Sequence, residues 1–388
     1  MSTSSSSVHL VWIYDGHLAN ALDAATWLNT TAELRRSGWR VTLIAAGNPG
    51  LREIRGVEVL CVWQPHVYLL RHVVFHLGAL GVIARLFNTI DAILFHEASA
   101  PWMLPVRVWR GFLARRRPLL VMDSRSLPMP PAHRQSARVE LRRMAQSLTT
   151  DLGNRIADGR LAITQRLADA VHIPPAKLWG TWPSGADPLA FTQDGSERQW
   201  PTPDEPVRLI YHGALHHERN LMALCQAVVS ANKQGTNFEL VLLGQGSQES
   251  ELRDFARGTS GAVQLLNPIP YEKVPQMLAH IHVGVLPFPD EEKFRVSSPI
   301  KLFEYLASGM PILVTRIVCH TDVVGSGPYA FWAEDSTEQG LLAALKMIWG
   351  SRQNLQDMGQ EAARASGSWS WSTSAEKLRR ALEIGLAQ

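Results

Sequence analysis

Cysteine is scarce in this chain. Cys61, Cys225 and Cys319 are far apart and odd in number, which excludes a disulfide framework and suits buried, reduced thiols. No metal-ligand spacing is present. His212, His216 and His217 crowd together without carboxylates to complete a site, so they read as loop histidines. No run reaches the uncharged length of a membrane-spanning helix. The tip Met1–Ser7 lacks the basic-then-apolar layout of a secretory signal and reads as disordered. No G-x-G-x-x-G follows the first apolar run at Tyr14, which counts against a dinucleotide oxidoreductase. Nucleic-acid motifs and aromatic platforms are missing too. These absences point to a cytoplasmic globular protein with no nucleic-acid partner, metal or cofactor.

What is present divides into two halves. The chain has 388 residues, enough for two domains with separate cores. Residues 1–190 hold 21 Lys/Arg against 13 Asp/Glu, a net +8, and residues 191–388 hold 17 against 22, a net −5. The basic half calls for an anionic partner. His66–Phe87 is strongly apolar with Arg71 and Arg85 interspersed. Trp102–Arg117 mixes Trp102, Met103, Leu104, Val108, Trp109, Phe112 and Leu113 with Arg107, Arg110 and the run Arg115–Arg117. Such segments are either core helices with solvated edges or helices that lie on an anionic membrane, at its inner face.

Strand-like and helix-like segments alternate in both halves, which predicts an α/β fold with parallel sheets covered on both faces. The expected domains are 1–185 and 207–372, joined by a linker at 186–206 with many prolines and little periodicity. A last helix is expected over 373–388. Ligands in such folds sit beyond the carboxyl ends of the strands.

The most informative stretch is Phe294–Thr315. Ser298 reads as an N-cap, Pro299 as the first helical residue, Gly309 as the left-handed stop, and Ile312–Thr315 as a buried strand. The helix start, with Ser297, Ser298 and Ile300, offers N–H groups and a positive dipole end to a diphosphate. Lys301 adds a charge. Glu304 lies on the same face, where a carboxylate can accept from a ribose diol. The same two residues would also make an ordinary helical ion pair. Gly213, Arg219 and Gly244 follow other strand ends, where glycine allows close approach and arginine can clamp a phosphate. Asn267 and Ile269, in the turn after a third strand, can present backbone to a base edge. In the first half, Asp15-Gly16-His17 ends the first strand, His96-Glu97 the strand at Phe95, and Asp123-Ser-Arg125 the next. His96 there can bond a sugar hydroxyl or act as acid or base.

The pattern Ser298-Pro-Ile-Lys-Leu-Phe-Glu-Tyr-Leu-Ala-Ser-Gly-Met-Pro resembles the donor-binding helix of GT-B glycosyltransferases, specifically the family 4 type that builds bacterial surface polysaccharides and glycolipids. Trp182–Phe191 resembles the family's "P-N-G-V-D" entry to the linker. Tyr211–Asn220 resembles its phosphate loop, His96–Pro101 its sugar-contacting histidine motif, and Ser368–Thr373 its closing tryptophan segment. The resemblance implies two Rossmann-like α/β/α domains facing a central cleft. It also implies a nucleotide-sugar donor, a UDP-sugar favoured, and a saccharide or lipid-linked acceptor. Glu304 would bind ribose, and Arg219 and Lys301 would meet the diphosphate. Asp15, Gly16, His17, His96, Glu97, Asp123 and Arg125 would line the acceptor side. The chain departs from the family in three places. Val296 stands where an earlier glutamate is usual, Ala214 where an arginine follows Gly213, and Arg219 where a lysine is usual. An inverting reaction would need a carboxylate base, for which Asp123, Glu97 and Asp15 are candidates. The rival readings are a nucleotide-sugar epimerase of the same fold, a Rossmann oxidoreductase, and a binding or scaffold protein with a decayed site.

Overall fold

Short apolar runs that are buried on both faces become the central strands of two sheets. In the computed structural model the described residues are 7–21, 24–112, 117–127, 137–193 and 198–387. Most of the N-terminal tip, with Leu113, Arg115 and Arg116 of the basic segment, lies outside them.

The first unit runs to Pro183 and takes in Trp371 onward. Its strands are β1 (His9–Tyr14), β2 (Arg40–Ala46), β3 (Gly50–Ile54), β4 (Val57–Val62), β5 (Ala92–Phe95), β6 (Leu119–Ser124), β7 (Gly159–Ala162) and β8 (Leu178–Thr181). They lie in the order β3-β4-β2-β1-β5-β6-β7-β8. All pair in parallel except β3 with β4. The sequence reading missed β3 because its side chains face solvent and show no apolar run. Its turn is set by Arg55 and Gly56, with φ of 49° and 72°, the left-handed pair that a tight hairpin needs. The closing helix Trp371–Leu386 belongs to this unit. Leu378 and Leu382 join Trp12, Trp27 and Trp182 in its core. Gly385 lies against Trp179 so closely that a Cβ would meet the indole at 2.2 Å.

The opposite face of this sheet carries the helices Tyr68–Leu86 and Met103–Phe112. Phe75, Ala79, Ile83, Met103 and Val106 are buried there. The first of these helices is not an uncharged run, because it carries Arg71 and Arg85. With its arginines near its two ends, Leu70–Thr89 is long and apolar enough, by length and composition, to cross a membrane. In the fold it packs one face on the sheet.

The second unit covers Ser184–Ser370. Its strands are β9 (Val207–Ala214), β10 (Phe238–Gln245), β11 (Val263–Leu266), β12 (Val283–Leu286), β13 (Ile312–Thr315) and β14 (Ala330–Ala333). They form a fully parallel sheet, β11-β10-β9-β12-β13-β14. The order reverses between β9 and β12, so the crevice of a doubly wound sheet opens beyond the tip of β9. Much of the proline-rich stretch read as linker is built into this unit. Pro188–Gln193 is a helix, and Phe191 is buried in the unit's core.

Candidate active site

In the second unit, the tip of β9 and the start of the helix Ile300–Ala307 form the site. Gly213, next to last in β9, has φ of 118°. Its missing side chain matters, because a Cβ there would lie 3.1 Å from Lys301 Cε and 3.3 Å from Nζ. Gly244 is paired with Gly213 across β9 and β10. A Cβ on Gly244 would stand 1.9 Å from the Gly213 carbonyl oxygen. Backbone proximity therefore requires glycine at 244, while positive φ and the nearby Lys301 side chain favour it at 213.

Two cations gather here. Arg219 closes a short turn, with its guanidinium 4.8 Å from the Phe288 ring centroid and 5.0 Å from that of Phe294. Lys301 Nζ lies 5.8 Å from the same Phe288 ring and 5.5 Å from Tyr211. Burial, reinforced by the charge of Arg219 and opposed by Glu304, lowers the Lys301 ammonium to about 7. Two like charges held together on one ring, one of them desolvated, make a place where an anion is stabilised.

Glu304 is 3% exposed. It accepts a 2.7 Å hydrogen bond from His212 Nε2. Burial pushes its carboxyl upward, but the bond and charge of His212, the Tyr271 hydroxyl and Lys301 outweigh this and hold it below the usual range. His212 thus corrects the loop-histidine reading. It is the sixth residue of β9, and its Nδ1 lies 3.1 Å from the Tyr305 hydroxyl. A histidine at the end of an otherwise apolar strand was the available signal. Tyr271 had none, since it lies in the turn after Pro270.

The helix start also differs from the expectation. Pro299, and not Ser298, is the cap residue, and no side chain caps this end. The Ser298 hydroxyl instead accepts from the Ser184 N–H at 3.0 Å, because the chain entering the unit passes beside it. Ser297 turns its hydroxyl to the Phe294 carbonyl at 2.8 Å, and Ile300 opens the helix. Gly309 takes φ of 63° just past the helix end, the left-handed stop. Asn267 is exposed and its side-chain oxygen accepts from Arg253 at 3.2 Å. Ile269 packs its side chain on the core. Val296 is buried and apolar, so no carboxylate occupies its place. The Ala214 carbonyl accepts from the Tyr211 hydroxyl at 3.0 Å.

The first unit has its own cluster where its strand order reverses, between β1 and β5. Asp15, after β1, meets His72 Nδ1 at 3.4 Å. Burial raises its carboxyl, but the His72 bond and the neighbouring imidazoles leave it below the ordinary value. Gly16 lies over the Tyr14 ring, and His17 is exposed. His96 follows β5 with its ring edge-on to Trp27. Its Nδ1 is 3.0 Å from the Asp123 carbonyl oxygen. A carbonyl can only accept, so Nδ1 carries the proton and, in neutral imidazole, Nε2 is an acceptor. That Nε2 is buried without a partner.

Asp123 is fully buried, and its Oδ1 accepts from the Trp182 indole N–H at 3.0 Å. Arg125 lays its guanidinium 3.8 Å from the Trp182 ring centroid. Glu97 accepts from the Ser124 hydroxyl at 2.5 Å, and Ser124 accepts from Arg160 at 2.6 Å. Sequence reasoning missed Arg160 and Trp182, both fully buried. Burial lowers the Arg160 guanidinium to about 10, against the pull of Glu97 and Asp123. Among the described residues, no three His, Cys, Asp or Glu side chains gather as a metal site.

Residues 206–350 match the family model described as Glycosyl transferases group 1. A comparison with curated proteins finds no significant match. Among solved structures, the catalytic domain of starch synthase IV from Arabidopsis thaliana, bound to ADP and acarbose, is 12% identical with a TM-score of 0.75, over 99% of this chain and 100% of that one. Anabaena HepE in complex with UDP-glucose is 16% identical with a TM-score of 0.71, over 97% and 99%. WaaG, a glycosyltransferase involved in lipopolysaccharide biosynthesis, is 13% identical with a TM-score of 0.66, over 95% and 98%. At these identities the likeness establishes the fold, while the family match falls within the second unit. The chain has the GT-B fold of these glycosyltransferases, and its residues 206–350 match the group 1 family.

Proposed function

We propose that this glycosyltransferase moves a sugar from a nucleotide-diphosphate donor, a UDP-sugar, to a saccharide or lipid-linked acceptor in cell-surface polysaccharide or glycolipid synthesis. The observation that carries the reading is the pairing of Arg219 and Lys301 on Phe288 beside the buried carboxylate of Glu304. The two cations suit a diphosphate and can stabilise its charge as it departs, without a metal. The carboxylate suits a ribose diol. The UDP-glucose complex of HepE supports a uridine donor, and the lipopolysaccharide role of WaaG supports the acceptor class. We take the transfer to proceed with retention, as the resemblance of the helix Ile300–Ala307 to family 4 enzymes implies; of the carboxylates an inverting base would draw on, Asp15 and Glu97 are bonded to His72 and Ser124, whereas Asp123 keeps Oδ2 buried without a hydrogen-bond partner. His96 is assigned to the sugar hydroxyls through its acceptor nitrogen.

Calorimetry with UDP tests the assignment. Glu304→Ala should weaken binding at least about tenfold, the effect of losing hydrogen bonds to a charged group. His96→Ala should leave UDP affinity near that of wild type while cutting transfer. Unchanged affinity in Glu304→Ala would sink the donor-site reading, and equal losses of affinity and turnover in His96→Ala would remove His96 from its role.

We further place the protein in the cytoplasm, at the inner face of the membrane. Its three cysteines are free and buried, as a reducing compartment allows. Leu70 and Leu77 on one helix and Leu104, Val108 and Phe112 on the next are exposed. Arg85 and Arg107 stand exposed on the same helices, which hold no acidic residue. Apolar residues among arginines suit an anionic bilayer surface. Flotation with phosphatidylglycerol vesicles should recover wild type, and the double variant Leu77→Ser, Phe112→Ser should stay behind. Equal recovery of both proteins would reject the contact.

A further inference from the structure

The residue that holds Glu304 has no role in the proposal above. His212 lies on β9, the central strand at which the sheet order reverses. It is 9% exposed and flanked by two partners from the helix Ile300–Ala307. Its Nε2 is 2.7 Å from Glu304 Oε2. Its Nδ1 is 3.1 Å from the Tyr305 hydroxyl, which also receives the His212 backbone N–H at 3.2 Å and reaches the Ile210 carbonyl at 3.3 Å.

These contacts decide which nitrogen donates. Glu304 is held as a carboxylate and can only accept, so Nε2 must carry a proton whichever way the phenol hydrogen of Tyr305 turns. The Tyr305 ring meets the His212 ring edge-on at 5.1 Å, which limits rotation of the imidazole. An ionised carboxylate has about four lone-pair positions. His212 occupies one of them, leaving others to accept from a ligand. Without His212, a carboxylate this buried would lose its shortest bond. It would then turn towards Lys301 or take up a proton, and either change removes acceptors from a diol.

We propose that His212 is a positioning residue for nucleotide recognition: its Nε2–H fixes the orientation and charge of Glu304 so that the carboxylate's remaining lone pairs receive ribose hydroxyls. The inference rests on the donor-site reading given above. It adds a strand residue to the ribose contact otherwise given to Glu304 alone. It also differs from a merely structural histidine in one measurable respect, because its effect should depend on the ribose hydroxyls of the ligand.

The test compares the affinities of UDP and 2′-deoxy-UDP by calorimetry in wild type, Glu304→Ala, His212→Leu and His212→Gln. Thermal unfolding serves as the check that each variant is folded. Wild type should prefer UDP by about tenfold, the worth of a hydrogen bond to a charged acceptor. In His212→Leu that preference should shrink towards one, with affinity for the deoxy ligand little changed. His212→Gln, whose amide can still donate to Glu304, should recover most of it. A preference that collapses in Glu304→Ala but survives in His212→Leu overturns the role of His212 and leaves the donor site standing. A preference unaffected by Glu304→Ala, or an absence of binding by UDP, ADP and GDP alike, overturns both. If His212→Leu does not fold, failure of the folded His212→Gln variant to keep the preference within a few-fold of wild type overturns the proposal by itself.

Discussion

Replacing Lys301 by methionine is expected to lower kcat/KM for transfer by about 10²–10³-fold, the usual consequence of removing one preorganised charge from a developing anion. Methionine fills much the same volume without the ammonium, so packing against Gly213, Tyr211 and Phe288 is retained while the charge is lost. The free enzyme should show this charge in its pH profile. Burial and Arg219 bring Lys301 from the ordinary lysine value of 10.5 to about 7. Above that pH the free site progressively loses one of its two cations, so kcat/KM should fall as pH rises through about 7. A bound diphosphate restores the proton.

The same group opposes folding, fully below about pH 7 and progressively less above it. Between about 7 and 10.5 the unfolded chain holds a proton that the folded chain lacks, so stability rises with pH there. The methionine variant should lose both that slope and the activity titration, and should be at least as stable as wild type. A flat wild-type profile from pH 6 to 9, on the order of the titration range a lysine so shifted would span, with only a few-fold loss in the variant, would refute this role for Lys301.

Gly244→Ala is expected to destabilise the second unit by about 4 kcal/mol, which corresponds to a fall in melting temperature of roughly 8–16 °C for a unit of this size. The added Cβ would stand 1.9 Å from the Gly213 carbonyl oxygen. The obstacle is backbone, and it belongs to the paired position on the neighbouring strand, so no side chain can rotate away. Relief requires β9 and β10 to separate at their tips, and that moves Gly213 away from Lys301. Nucleotide binding should therefore fall together with stability. Gly235→Ala is the control. Gly235 also has positive φ, at 92°, but a Cβ there meets nothing within 4 Å, so only the conformational cost of about 1–2 kcal/mol applies. Scanning calorimetry on both variants separates clash from strain, and equal losses would show that the contact between the two strands is not what requires glycine at 244.

The alternation of apolar runs and helical segments was enough to read a doubly wound α/β architecture, because strands buried on both faces leave an unbroken apolar signature. The helix Ile300–Ala307 was legible for a similar reason. Lys301, Glu304 and Gly309 are spaced by the helix itself, and local geometry needs no tertiary information. Features made by long-range contact were not legible. The expected cap at Ser298 failed because that hydroxyl is claimed by Ser184, which is 114 positions away. The exposed hairpin strand β3 failed because it carries no apolar run.

Residue type and short-range spacing determined the fold class, the glycine stops and the cationic helix start. Those properties follow from backbone sterics and periodicity, which act over a few residues. The tertiary structure alone decided that His212 grips Glu304 across 92 positions, and that Arg219 and Lys301 share one aromatic ring. It also placed Arg160 beneath Ser124 and Glu97. Charge, hydrogen bonding and desolvation act through space over a few ångströms. The partners they join are chosen by which strand tips the sheet order brings together, and no local pattern records that choice.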